Sequence, residues 1–313
     1  MAKVVLGIGT SHSPMLSTTP DVWPKHVERD LVNAELWAWD GKPHRYDELV
    51  EMSRPELEKE ITLDRWWERY NACQDAIAKV GEIVADVNPD VLVIVGDDQK
   101  EVLHEDNMPA MMVYWGDTVL NKPRDRSRLP ESIALAAWAN EFEEGPREFP
   151  SESGLGLHII KSLIHEEFDV AHSKVLPNEK GEGHAFGFVH RRILNGRPVP
   201  IVPIMQNTYY PPNQPTPKRC FDFGQAVRRA IDSWDSDARV AVVASGGLSH
   251  FVIDENLDRG VLRAMQEKNS EHLRTVPENL LNSGNSEIRN WIATAGAVED
   301  LDMKLIDYVP CYR

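Results

Sequence analysis

The chain has 313 residues, 42% of them hydrophobic, and a formal net charge of −16. This length and apolar content are sufficient for one large domain with a substantial core. The negative charge argues against nucleic acid or an anionic membrane as partner, and no apolar run approaches the ~18 residues of a membrane span. The cysteines Cys73, Cys220 and Cys311 form neither a disulfide framework nor a zinc pattern, which predicts a reducing, cytoplasmic location.

The first quarter of the chain contains one predicted strand and one unusual segment. Val4–Ile8 is an apolar run that predicts a buried strand, and the turn after it carries His12. Residues 20–62 hold three tryptophans and many charges but show no strand pattern, which favours short helices packed over the core or against a second subunit. We therefore expect a single domain over residues 1–313 with a Trp-rich helical insertion at about 20–62, in a homo-oligomer.

A helix and a strand follow with clear patterns. Apolar residues at spacings of three and four predict a helix over Leu63–Val87, which Asn88-Pro89 ends. Val91–Val95 predicts a strand buried on both faces, and this strand ends at the polar residues 97–99. Strand, helix and strand in this order predict a right-handed parallel crossover, so the ends of the two strands meet at one edge of a sheet.

The same alternation continues through the rest of the chain and predicts an α/β fold. The expected architecture is a three-layer α/β/α domain with a central mixed sheet. Neither a phosphate-binding glycine loop nor a nucleophile elbow is present. The predicted strands are Met108–Trp115, Val170–Ser173, Val199–Met205 and Arg239–Ala244, and the predicted helices are Glu131–Phe142, Gly154–Phe168, Phe221–Trp234, Asp254–His272 and Ser286–Ala297.

The stretch ASGGLSHFVIDE, residues 244–255, is the strongest candidate for chemistry. The buried strand before it stops at Ser245-Gly246-Gly247, and His250 and Glu255 follow within ten residues. Strand ends beside glycine turns are where open α/β sheets place their sites. An imidazole and a carboxylate there could bind a metal or move protons. The alternative is a polar loop with a solvated histidine.

Five segments, in this order, resemble one family. They are GIGTSHSP, VIVGDDQ, GEGHAFG, YYPPNQPTPKRCF and SGGLSH, and they resemble class III extradiol ring-cleavage dioxygenases of the protocatechuate 4,5-dioxygenase catalytic-subunit type. The resemblance covers about residues 1–20 and 85–310, and the Trp-rich segment resembles the extra region of members acting on gallate or 3-O-methylgallate. It implies an Fe(II) enzyme that opens the ring of a small anionic catechol or trihydroxybenzoate with O2.

The resemblance also implies roles for individual residues. His12 would be one iron-binding histidine and Glu255 the iron-binding carboxylate. His184 and His250 would transfer protons, one as base for the substrate hydroxyl and one as acid later in the reaction. The family's second iron histidine lies in an Asn-Asp-His strand end, where this chain has Gln99. We expect Gln99 at or beside the vacant ligand position, with His104 as the alternative ligand.

Cations near two of these segments are candidates for binding the substrate carboxylate. They are Lys218, Arg219 and Arg191, the last followed by a second arginine; solvated surface charge is the alternative for each. Two other functions stay open at this point. One is a catalytically silent subunit of such a dioxygenase, which Gln99 favours. The other is a metal-dependent hydrolase that uses a metal-activated water. Bound iron with catechol-dependent oxygen uptake distinguishes the dioxygenase from both.

Overall fold

A computed structural model describes residues 1–177 and 180–313. Residues 178 and 179, shortly before the segment GEGHAFG that contains His184, lie outside the described residues. The strands of the described part are β1 (Lys3–Thr10), β2 (Leu36–Trp37), β3 (Pro43–His44), β4 (Val91–Asp97), β5 (Met111–Tyr114), β6 (Thr118–Asn121), β7 (Arg147–Pro150), β8 (Ala171–Ser173), β9 (Ile201–Gln206) and β10 (Arg239–Ser245). The helices are α1 (Trp23–Leu31), α2 (Tyr46–Met52), α3 (Leu63–Val87), α4 (Glu131–Ala136), α5 (Ser153–His165), α6 (His184–Phe188), α7 (Pro217–Ser233), α8 (Glu255–Gln266), α9 (Ser270–Arg274) and α10 (Ile288–Ala297).

Six strands form the central sheet, in the order β1-β10-β4-β9-β5-β8. The first four run parallel, whereas β5 pairs antiparallel with β9, so the sheet is mixed as predicted. Parallel strands end at the same edge of a sheet. The carboxyl ends of β1, β10 and β4 therefore lie side by side, and this edge carries the candidate site.

Helices cover both faces of the sheet, which confirms the three-layer α/β/α prediction. The strand β4 shows why, because its residues alternate between two cores. Val91, Val93 and Val95 pack with α5, α7 and α10, whereas Leu92 and Ile94 pack with α3 and α6. A strand buried on both faces is hydrophobic without interruption, as its sequence VLVIV indicates.

Two glycines allow α10 to pack closely on its neighbours. A Cβ atom at Gly9 of β1 would collide with the ring of Trp291, and one at Gly224 of α7 would collide with the carbonyl of Ala293. The close approach of α10 to the sheet fixes the residue just before it, Glu287, at the carboxyl edge of β1 and β10. The absence of a side chain at Gly9 and Gly224 thus positions a carboxylate of the candidate site.

The predicted elements were mostly confirmed, with differences at their ends. The predicted bounds of α3 are those observed, whereas α4 ends at Ala136 and a 3-10 turn follows it. The helix predicted over Asp254–His272 is two helices, because the chain turns at Lys268 with a φ of +55°. The pairing of β6 with β7 was missed because a helix and loops separate these two strands in sequence.

Candidate metal centre

His12 lies two residues beyond β1 and is buried, and its contacts define which nitrogen carries the hydrogen. The hydroxyl of Ser245, at the end of β10, donates its hydrogen to the carbonyl of Ala185 at 2.7 Å. That hydroxyl oxygen lies 3.1 Å from His12 Nδ1 and therefore accepts the Nδ1–H hydrogen. The lone pair of His12 Nε2 is thus directed into the interior of the site, as in a metal ligand held by an outer hydrogen bond.

His184 begins α6 and is oriented by Glu101, which lies in the loop after β4. One carboxylate oxygen of Glu101 accepts from His184 Nδ1 at 2.6 Å and from the His184 backbone N–H at 2.8 Å. Arg124 donates to the other oxygen at 2.7 Å and also bonds Glu141. Burial raises the pKa of Glu101, but His184 and Arg124 together lower it to about 2. Glu101 is therefore an ionised acceptor that fixes the imidazole ring of His184.

The two imidazoles meet at their Nε2 atoms, which lie 3.1 Å apart. With both Nδ1 atoms donating, two bare Nε2 lone pairs would face each other and repel unless a proton or a metal ion lies between them. For metal–nitrogen bonds of about 2.1 Å, two ligands at a right angle stand about 3.0 Å apart, so the spacing fits a shared ion. His12, Asp97 and His184 each offer a ligand atom, and these atoms all lie within 4.8 Å of one another.

Without a metal, a proton on His184 satisfies this pair. Burial lowers the pKa of His184, but the charge and hydrogen bond of Glu101 and the charges of Asp97 and Glu287 raise it to about 10. His184 is then an imidazolium that donates from Nε2 to His12. A divalent cation bound in place of this proton would also place positive charge next to the surrounding carboxylates.

Two buried carboxylates, Asp97 and Glu287, face the imidazoles. Asp97 Oδ1 lies 3.8 Å and Glu287 Oε2 lies 3.4 Å from His12 Nε2. Burial and the neighbouring Glu287 raise the pKa of Asp97. Burial also raises the pKa of Glu287, but His250 and His12 bring it well below its ordinary value. The backbone N–H of Gly247, in the glycine turn after β10, donates to Glu287 at 2.6 Å. Nitrogen and oxygen donors of this kind suit a divalent metal ion.

Gln99 contacts the carboxylates instead of the histidines. Its amide nitrogen donates to Glu287 Oε1 at 3.1 Å and to Asp97 Oδ2 at 3.5 Å. Because an ionised carboxylate only accepts hydrogen bonds, the NH₂ group of Gln99 must face it, and the carbonyl oxygen is turned away. Gln99 thus lies beside the predicted ligand position and bridges the two carboxylates.

His250 lies next to the same carboxylate, which agrees with its predicted place near the site. Its Nε2 is 3.5 Å from Glu287 Oε1, and its Nδ1 donates to the carbonyl of Leu248 at 2.9 Å. Burial lowers the pKa of His250, but Glu287 and the bond to Leu248 more than compensate and raise it. The Nε2 atom of His250 is therefore the atom that can hold or release a proton.

Two expected ligands lie outside the cluster. Glu255 begins α8, where it accepts from the Tyr312 hydroxyl at 2.7 Å and from Arg259 at 2.8 Å. The carboxylates that the structure places beside His12 are Asp97 and Glu287, whereas Glu255 was expected there and has its contacts at α8. His104 is exposed and contacts the ammonium group of Lys180. It does not belong to the group of ligand atoms around His12.

The cations proposed for carboxylate binding also have other partners. Lys218 pairs with Asp222 one turn along α7, at 2.5 Å. Arg219 stacks on the ring of Phe168 and donates to the Glu167 carbonyl. Arg191 donates to the Trp138 carbonyl and lies over the Phe142 ring. Among the described residues, none of the three is a hydrogen-bond or ion-pair partner of His12, Asp97 or His184.

Three residues of the site, Asp97, Glu101 and Glu287, were not predicted as functional. Asp97 was recognised only as part of a polar strand end. Glu101 has no sequence signal, since it acts through a loop that folds back on α6. Glu287 carries a weak signal, because it is a charged residue at the start of the apolar helix α10 and is nevertheless buried.

A cavity of about 810 Å³ begins next to the cluster of His12, Asp97 and His184, although these three are not among the described residues that line it. Ser11 and Ser13, on either side of His12, line it together with Gly247 and His250. The rest of the wall is mostly apolar and comes from β1, α3, α10 and residues 301–313. Its size and apolar lining suit a small ring compound.

Among the described residues, none of the helices combines the length and apolarity that crossing a membrane requires.

Comparisons with known proteins found a matching family and a curated relative. Residues 67–311 match the family described as the catalytic LigB subunit of aromatic ring-opening dioxygenase. A gallate dioxygenase from Pseudomonas putida is 39% identical over 116 residues, which are 35% of this chain and 33% of that protein. The chain thus matches about one third of the length of this curated relative.

Proposed function

Because the chain belongs to the family of catalytic LigB subunits of aromatic ring-opening dioxygenases, we propose that it opens the ring of a small aromatic substrate with dioxygen. The observation that carries the proposal is the convergence of His12, Asp97 and His184 at one buried point beside a cavity. The hydrogen bonds Ser245–His12 and Glu101–His184 direct both Nε2 atoms to the same place.

The metal of this proposal is Fe(II), the ion typical of two histidines and a carboxylate with open positions. His12, Asp97 and His184 would hold it, with Glu287 as a further carboxylate next to His12. When bound, Fe(II) supplies the redox chemistry that brings substrate and dioxygen together. His184 then replaces the imidazole that the family has at the position of Gln99. Gln99 acts as a positioning residue, since its amide bridges Asp97 and Glu287.

His250 is the residue that we propose for proton transfer. Its Nδ1–H is engaged by the Leu248 carbonyl, so Nε2 alone exchanges a proton with the substrate hydroxyl. Glu287, 3.5 Å from this nitrogen, stabilises the imidazolium that forms. A Cβ atom at Gly247 or at Gly284 would collide with the His250 ring. The backbones of these two glycines therefore pack directly against the ring and hold it in place. His250 thus retains the role expected from the sequence, whereas His184 moves from proton transfer to metal binding.

The substrate class is a small anionic catechol or trihydroxybenzoate such as gallate. A gallate dioxygenase is the relative that supports it, over one third of that protein's length. The cavity wall supports it as well, because apolar residues there surround a few hydroxyl and imidazole groups. Lys218, Arg219 and Arg191 lose support as carboxylate-binding residues, since each has a partner elsewhere.

We further propose that the enzyme is a cytoplasmic homo-oligomer. Within residues 1–177 and 180–313, six of the thirteen exposed large hydrophobic side chains fall in the Trp-rich insertion at about 20–62, and two more, Leu63 and Trp67, lie at the start of α3. Apolar side chains concentrated on one surface segment are typical of a protein–protein contact. The Trp-rich insertion is therefore the surface through which copies of the chain associate. The three free thiols fit a reducing compartment.

Oxygen uptake by the Fe(II)-loaded protein tests the proposed activity. Purified chain is loaded anaerobically with Fe(II) and then mixed with gallate, 3-O-methylgallate, protocatechuate or catechol in an oxygen electrode. We expect uptake with at least one acid, its loss in His12→Ala and in His250→Gln, and its retention in Glu255→Gln. A folded, iron-loaded chain that consumes no oxygen with any of the four compounds would contradict the proposal.

A further inference from the structure

One face of α3 holds the segment 301–313 through three side chains spaced three and four residues apart. Trp66 donates from its indole to the backbone carbonyl of Tyr312 at 3.0 Å. The Arg69 guanidinium lies over the Tyr312 ring, 5.4 Å from its centroid. Cys73 follows one turn later, and its sulfur faces that of Cys311 at 3.9 Å. The sulfur pair is therefore the third contact of an ordered docking face.

The two thiols differ in access and in acidity. Cys73 lies on the buried face of α3, whereas Cys311 is partly exposed. The sulfur–sulfur contact with Cys73 lowers the pKa of Cys311 against the effect of burial, and the positive charges of Arg69 and Arg313 lower it further. The same pairing and burial raise the pKa of Cys73. Cys311 is thus the better nucleophile and the more accessible sulfur of the pair.

We propose that Cys73 and Cys311 form a reversible disulfide that fastens the segment 301–313 to α3. The oxidant is a small disulfide such as oxidised glutathione. The Cys311 thiolate attacks one sulfur of the oxidant, forms a mixed disulfide and releases one thiolate. Cys73 then loses its proton and attacks the Cys311 sulfur, and the second thiolate leaves. Two protein thiols are oxidised and one small disulfide is reduced to two thiols. The protein sulfurs need only close from 3.9 Å to a bond of about 2.05 Å.

The fastened segment borders the proposed active site, which gives the bond a consequence. Arg313 donates to Asp30 at 2.6 Å and lies over Phe251, the neighbour of His250. Cys311, Arg313 and His250 all line the same cavity. Oxidation therefore fixes one wall of that cavity, and reduction leaves it held by noncovalent contacts alone. This inference stands without the proposed activity, since it concerns thiols that take no part in it.

Peptide mapping of the oxidised protein tests the bond. The intact chain is treated with oxidised glutathione under native conditions, alkylated, digested without reductant and analysed by mass spectrometry. We expect a cross-linked peptide that contains Cys73 and Cys311 and weighs two hydrogen atoms less than the sum of the two thiol peptides. Cys220 should still be alkylated. Cys220 is the matched control, because it is buried and, among the described residues, its thiol hydrogen-bonds to a backbone carbonyl and not to another sulfur. Cys220→Ser should give the same cross-link.

Single variants then separate the two steps of the reaction. Cys73→Ser should trap a glutathione adduct on Cys311, and Cys311→Ser should leave Cys73 unmodified because it is buried. Oxidised wild type should melt at a higher Tm than reduced wild type, and the Cys311→Ser variant should show no such shift. Recovery of Cys73 and Cys311 as separate alkylated thiols after oxidation of the folded chain would overturn the proposal. Cross-links that involve Cys220 to the same extent would also overturn it.

Discussion

The substitution His184→Gln distinguishes a metal ligand from a proton-transfer residue. The Nε2 atoms of His184 and His12 lie 3.1 Å apart, which is the separation of adjacent ligands on one ion. Glutamine removes the imidazole and the donor that Glu101 holds. Outer-shell changes alone cost about 10–100-fold in metal affinity, so loss of a ligand should cost at least as much. Competition with a chromophoric chelator, measured anaerobically with Fe(II) and repeated with Co(II), gives the Kd without reference to turnover.

Glu101→Gln provides a graded second point in the same experiment. The amide still offers an oxygen to His184 Nδ1 but lacks the charge that fixes the imidazole, so an affinity loss of about 10–100-fold is expected. Glu105→Gln is the matched control, because Glu105 is exposed in the same loop and pairs only with Lys100 among the described residues. If His184→Gln keeps the wild-type Kd while turnover falls, His184 moves protons, and the assignment to the metal is wrong.

Three further predictions test other parts of the site. Gln99→Ala should weaken metal binding about tenfold, because the amide that bridges Asp97 and Glu287 is lost. His104→Ala should bind metal as wild type does, because His104 contacts Lys180 instead. The chelator assay measures both affinities, and the reverse pattern would make His104 the ligand. Glu255→Gln should leave the metal Kd unchanged and cost at most about 1 kcal/mol of stability, because its partners Arg259 and Tyr312 lie near the surface. Denaturant unfolding measures the stability. A weakened metal Kd in this variant would place Glu255 among the metal ligands. In the metal-free protein, protonated His184 contributes to the free energy of unfolding because its pKa is higher in the folded state than in the unfolded state. This contribution is complete below the ordinary pKa of 6.5 and is lost as the pH rises through about 10. Unfolding measured across this window in His184→Gln should lack that slope, and an unchanged slope would contradict the raised pKa.

The sequence was sufficient for the architecture because local patterns determine it. The uninterrupted run VLVIV predicts a strand buried on both faces, and the periodicity of Leu63–Val87 predicts a helix whose bounds are those observed. The ends of helices were predicted less well where they depend on a backbone conformation that the residue type does not indicate. The break between α8 and α9 occurs at Lys268, a residue type that gives no warning of a positive φ.

The site was predicted in part, and the errors have a physical cause. His12 and His250 follow strand ends directly, so sheet geometry fixes their place. Glu255 and Glu287 are both acidic residues beside helix starts, and sequence spacing does not distinguish them. Only the packing of α10 against Gly9 and Gly224 selects Glu287. The partnership of Glu101 with His184 joins residues 83 positions apart and therefore had no local signal.

The most direct test of the central proposal is the source of the oxygen in the product. The Fe(II)-loaded chain is incubated with gallate, or with the best substrate of the panel, under ¹⁸O₂ in ordinary water, and the product is analysed by mass spectrometry. Ring opening by a dioxygenase predicts one O₂ consumed for each substrate and both labelled atoms in the ring-opened product. A product that carries oxygen from water alone, formed without oxygen uptake, would mean a metal-dependent hydrolase and would contradict the account.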